Sequence, residues 1–104
     1  EGNNKPAMEF MATGGTVMAS DWSGHKNWLH PDVTYPLPGT LVADNDGTSD
    51  FRVDIRAVAD TFLHCWKHQH EVIRKGQLAA GYVRASLSWD SVGNRMLNHL
   101  ARLL

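Results

Sequence analysis

Only two stretches of this 104-residue chain read as β-strand, and both are short. Thr16-Val-Met-Ala-Ser20 is an apolar run between Gly14-Gly15 and Asp21, which suits a buried strand of a parallel sheet. Val33 to Leu37 reads as the second, with Pro36 confining it to an edge or a short piece. Parallel neighbours need a crossover of a dozen or more residues, and helices over both faces. Two strands with four or five helices make part of a doubly wound α/β fold, not a whole one. Three outcomes stay open: neighbouring copies cover the sheet as a homo-oligomer, the strands rearrange, or the sheet stays very small.

The rest of the chain is helical in pattern. In the stretch 54–66, Ile55, Val58, Ala59, Phe62, Leu63 and Trp66 recur at helical spacing, and Asp54 places negative charge in the first turn. A helix over about 70–86 should bury Val72, Ile73, Ala79, Ala80 and Val83, with Gly76 and Gly81 each weakening it by about 1 kcal/mol relative to Ala. A last helix runs from Ser88 as cap to about Leu103, with Val92, Met96, Leu100 and Leu103 as its stripe. Lys26 to His30 makes at most one turn before Pro31. Pro38 to Asp50, rich in Gly, Asp, Asn and Ser, reads as a loop.

The first fourteen residues carry the chemistry. Asn3 or Asn4 can cap a helix, Pro6 fits its first turn, and Gly14-Gly15 can end it, so Asn4 to Thr13 is predicted helical. The N–H groups around Asn3, Asn4 and Lys5 form a positive helix end suited to phosphate, though plain capping uses the same residues. Glu1 and Glu9 flank that end, eight positions apart, and carboxylates accept hydrogen bonds from sugar or ribose hydroxyls. Ser23-Gly24-His25 follows the first strand at its carboxyl end, where ligands bind in open α/β sheets.

Glu1 and Glu9 resemble the E-x7-E motif of GT-B glycosyltransferases of the retaining, nucleotide-sugar-using kind. Met8-Glu-Phe-Met-Ala-Thr-Gly-Gly-Thr-Val-Met-Ala-Ser-Asp21 resembles the family's helix–turn–strand that carries the second Glu. Gly24-His25, Asn27-Trp28-Leu29, Tyr35-Pro36-Leu37-Pro38, Val53 to Ala59, and Ser88-Trp89-Asp90-Ser91-Val92 resemble later family segments in the same order. Gly2-Asn3-Asn4 stands where many members have an aromatic residue and Gly.

The resemblance implies a partial Rossmann-like domain, the latter part of a GT-B C-terminal domain, spanning 1–104. It implies that Glu9 holds the donor ribose and that Glu1, the catalytic carboxylate, meets the transferred sugar near its leaving phosphate. Asn3, Asn4 and Lys5 would take the pyrophosphate, and Ser23, Gly24 and His25 would line the donor pocket. The partners implied are a nucleotide-diphosphate sugar and a hydroxyl acceptor, a glycan or a lipid-linked one, with no metal and no other cofactor. A chain that starts at the first motif residue without Met reads as a fragment that does not catalyse transfer alone. The alternative is a non-enzymatic, dimeric interaction module descended from such an enzyme.

Formal net charge is −1 with no basic block, which speaks against nucleic acid or an anionic membrane as partner. No apolar run approaches the roughly 20 residues that span a bilayer, and no signal peptide is visible. The single Cys65 reads as structural and fits a reducing, cytoplasmic setting. His64 and His68 have a spacing that can chelate a metal, but they point away from the apolar stripe and read as a solvated pair. Trp22 and Trp28 can stack on a base or sugar, with burial the default; Trp66 and Trp89 read as core.

Overall fold

The computed structural model describes residues 3–104. Its chain order is α1 (Lys5–Ala12), β1 (Met18–Ser20), a short 3-10 turn (Ser23–Asn27), β2 (Tyr35–Leu37), β3 (Gly39–Ala43), β4 (Ser49–Val53), α2 (Ile55–Lys67), α3 (Gln69–Ser86) and α4 (Trp89–Leu103). The protein is α/β and mostly helical. β1 and β2 pair in parallel, Met18 opposite Tyr35 and Ser20 opposite Leu37. Both strands are shorter than the apolar runs that announce them, because Thr16 and Val17, like Val33 and Thr34, serve as approach segments. Val17 still lends its carbonyl to the Tyr35 N–H at 2.9 Å, and Thr34 is fully buried with its hydroxyl on the His30 carbonyl at 2.7 Å.

The core lies where α1 and α3 close on the parallel pair. Met11, Trp28, Leu29, Val33, Ala79 and Val83 form one buried cluster. α3 comes close to the turn after α1 at Gly76, where a Cβ would stand 2.2 Å from the Gly14 carbonyl oxygen and 2.7 Å from the Thr16 hydroxyl. Gly76 is thus a packing residue, not a defect of the helix.

Two expectations fail. The stretch 38–50 is not a loop: β3 and β4 form an antiparallel hairpin, Gly39 opposite Val53 and Ala43 opposite Ser49. Its polar residues make the turn. Gly47 takes φ 86°, the Asp44 N–H donates to the Thr48 carbonyl at 2.8 Å, and the Asp46 carboxylate accepts from the Thr48 hydroxyl at 2.6 Å. Asp46-Gly47 is a hairpin signal.

The second failure concerns burial. The helices form where their periodicity places them, Ser88 caps α4 as read and Asp54, read as a first-turn residue, is the cap of α2, but their apolar stripes face outward. On α2, Ile55 is 84% exposed and Trp66 74%; on α4, Trp89 is 81% exposed and Leu103 69%. Phe62, Leu63, Met96 and Leu100 are exposed as well, and so is Ile73 on α3. The reason is the shape. The chain is a plate of 50 × 44 × 19 Å with a radius of gyration of 16.3 Å, against about 13 Å for a compact domain of this length. A plate this thin has no further layer to cover α2 and α4.

Candidate functional site

Asn4 opens α1 in a left-handed conformation, φ 57°, and its side-chain oxygen accepts from the Ala7 N–H at 3.4 Å. The same side chain's amide reaches the His25 Nε2 at 3.4 Å. His25 Nδ1 lies 3.0 Å from the Ser20 carbonyl oxygen. A carbonyl can only accept, so Nδ1 carries the proton and Nε2 accepts from Asn4. One imidazole therefore ties the carboxyl end of β1 to the cap of α1. Asn27 adds a bond to the Asn3 side chain at 2.8 Å, and the buried Trp28 indole N–H donates to the Asn3 carbonyl at 2.6 Å.

Ser23 is left-handed too, φ 56°. It and Asn4 are the two non-glycine residues with positive φ among those described. Asn4 contacts His25 directly and Ser23 opens the turn that carries His25; strained backbone held beside such a contact tends to mark function. At this helix end Pro6 has no N–H and the Ala7 N–H is taken by Asn4, so the charge of the corner comes from Lys5 and Lys26, of which Lys26 is paired with Asp21 at 3.3 Å. Lys5 also sits 5.9 Å over the Trp89 ring.

Of the residues singled out in the sequence, Asn3, Asn4, Lys5, Ser23, Gly24 and His25 thus share one corner of the fold. Glu9 is exposed on α1, one turn past Lys5 on the same flank. It makes no hydrogen bond or ion pair among the described residues. Glu1 lies outside the described residues.

A second polar cluster was not foreseen. Tyr35, Asp60, Thr61, His64, Glu71 and Lys75 line an open depression of about 450 Å³. Glu71 accepts from the Tyr35 hydroxyl at 2.7 Å and from His64 Nε2 at 2.8 Å. These donors, His64 first, hold its carboxyl down from the ordinary 4.5 to about 2. Burial, reinforced by Glu71, pushes the Tyr35 phenol upward, and burial likewise raises the Cys65 thiol. Lys75 caps the ring of Tyr35 at 4.0 Å while donating to the Pro31 and Thr34 carbonyls.

The partners here satisfy one another, so the cluster is a clamp of α2 and α3 onto β2. It also corrects the reading of His64 and His68 as a merely solvated pair. Their rings stack at 4.2 Å, His64 is committed to Glu71, and His68 Nδ1 donates to the His64 carbonyl. Among the described residues no group of three or more His, Cys, Asp or Glu is placed to hold a metal, and no helix is long and apolar enough to cross a membrane. The only trace of the clamp in the sequence is Glu71 seven residues after His64, across the break at His68.

Set against models of known protein families, curated proteins and solved structures, the chain matches none of them.

Proposed function

We propose that this chain is the donor-binding segment of a GT-B-type glycosyltransferase, a partial Rossmann-like unit whose ligand is a nucleotide-diphosphate sugar. The observation that carries the reading is the link from Asn4 at the start of α1, through His25, to the Ser20 carbonyl at the end of β1. It fixes a helix N-terminus against the carboxyl edge of a parallel strand pair, the place where such folds hold phosphate. The helix end and Lys5 stabilise the diphosphate as it leaves, Glu9 takes the ribose, and Glu1 takes the transferred sugar. Transfer to the hydroxyl of a glycan or lipid-linked acceptor, with retention, is the activity of the longer enzyme to which such a segment belongs.

The test is a thermal melt with UDP, GDP and ADP, on the native chain and on Glu9→Ala. A ligand at a hundred times its dissociation constant stabilises by about 2.7 kcal/mol. A rise in melting temperature with one nucleotide, reduced in Glu9→Ala, supports the reading. No rise with any of them counts against it.

The exposed stripes of α2 and α4 favour a second reading, a non-enzymatic module that buries them by dimerising. That reading needs a discrete dimer in gel filtration with no response to nucleotides.

A further inference from the structure

The hairpin of β3 and β4 is a sheet of its own, with no third strand on either side. The Asp44 N–H donates to the Thr48 carbonyl at 2.8 Å, and the Asp54 N–H to the Pro38 carbonyl at 2.9 Å. Antiparallel partners alternate between bonded and non-bonded pairs, so Thr40, Val42, Asp50 and Arg52 use their backbone groups inside the hairpin. The N–H and C=O groups of Ser49, Phe51 and Val53 point out of the free edge of β4. None of them has a backbone partner among the described residues.

Such an edge is a template for another strand, and a two-stranded ribbon is marginal in water. The side chains of β4, Ser49-Asp-Phe-Arg-Val53, say which strand fits. Asp50 and Arg52 are exposed, and neither forms an ion pair among the described residues. A second β4 laid antiparallel along the edge has three registers that engage more than one of the outward residues. With Phe51 opposite Phe51, Asp50 of each copy faces Arg52 of the other. With Ser49 opposite Phe51, Asp50 faces Asp50; with Phe51 opposite Val53, Arg52 faces Arg52. These charges fall at the non-hydrogen-bonded pairs, where side chains stand closest. Opposite charges across strands stabilise and like charges destabilise, so one register is selected. β3, Gly39 to Ala43, has no charged residue to select one.

We infer that the free edge of β4 is a self-recognition surface, pairing antiparallel with β4 of a second copy about Phe51 to form a four-stranded sheet. Asp50 and Arg52 set its register and its choice of partner. The pairing rests on the second reading above, in which copies meet through their uncovered helix faces. One strand edge covers far less than the roughly 1,200 Å² of a stable interface, so it adds to that contact and does not replace it.

Sedimentation velocity at low salt on the native chain, Asp50→Arg, Arg52→Asp and the double exchange tests this. By the two-fold symmetry each single change spoils two pairs, so each should weaken self-association by roughly tenfold. The double exchange restores opposite charges and should restore association. An equimolar mixture of the two single variants should associate more tightly than either alone. Single variants that associate like the native chain overturn the inference and leave the helix-face reading standing. A double exchange as weak as the single ones also overturns it, since the two charges then do not face each other. A native chain that is monomeric at every concentration overturns both.

Discussion

The Tyr35 hydroxyl donates to Glu71 at 2.7 Å, joining the start of β2 to the first turn of α3. His64 of α2 donates to the same carboxylate oxygen at 2.8 Å. One acceptor thus gathers a strand and two helices, and its charge state governs how well they hold together.

Acid should release that clamp. The folded carboxyl of Glu71 titrates below the unfolded one, so its stabilising contribution is complete above about 4.5 and is lost as pH falls from there toward 2. Thermal melts taken downward from neutral pH should show a steep loss over this window. In Glu71→Gln the acid limb should flatten, with a lower melting temperature at neutral pH. Tyr35 adds the opposite limb. Its raised phenol supports the fold below its ordinary 10.0 and loses that support as pH climbs above it; Tyr35→Phe should remove the alkaline limb.

Gly76 and Gly81 lie in the same helix and should respond oppositely to alanine. At Gly81 a Cβ would meet nothing within 4 Å, so Gly81→Ala should stabilise by up to about 1 kcal/mol through helix propensity. At Gly76 the added carbon would overlap the Gly14 carbonyl oxygen. Overpacking of that kind costs about 1–3 kcal/mol, so Gly76→Ala should destabilise on balance. Urea midpoints of the two variants, with unchanged slopes, are the measurement; a stabilised Gly76→Ala would show that α3 and the turn after α1 are not in contact.

Trp28 joins stability to the candidate site. Its ring is fully buried and its indole N–H holds the Asn3 carbonyl. Trp28→Ala should cost about 3–5 kcal/mol, a large share of a small domain's stability. Trp28→Phe keeps most of the packing and removes the bond, at about 1 kcal/mol. The informative readout is hydrogen exchange at the start of α1: it should quicken in Trp28→Phe while the amides of α3 stay protected.

What the sequence made legible follows from the range of the interactions. Periodicity and caps are local, so all four helices and the parallel sense of the two short strands could be read, with Ser88 as a cap and the cap of α1 narrowed to Asn3 or Asn4, while Asp54, read as a first-turn residue, proves to be the cap of α2. The hairpin was legible too, in Asp46-Gly47, but its polar turn obscured the alternation around Leu41 and Phe51. The corner at Asn4 and His25 was anticipated as two separate pieces, a helix end and a strand end, that the fold then joins. The Tyr35–Glu71–His64 clamp was not, because its members sit 36 and 7 residues apart and meet only after α3 has docked. Amphipathic periodicity says that a helix has an apolar face; it does not say that the same chain supplies the cover, and at Trp66 and Trp89 it does not.

Those uncovered faces should show themselves in solution. Phe62 and Trp66 are one turn apart on α2, 60% and 74% exposed, with Leu63 beside them at 52%. Exposed apolar surface of this extent is rarely left in water by a monomeric protein. Sedimentation velocity over a range of concentrations should therefore show reversible self-association. Phe62→Glu combined with Trp66→Glu should abolish it with little change in the melting temperature of the dilute chain, because neither side chain is part of the buried core. Retained association in that double variant would move the contact to α4, where Met96 and Leu100 form the corresponding face and Leu100→Glu is the variant to make. A monomer at every concentration would mean that water, and not a second copy, covers α2.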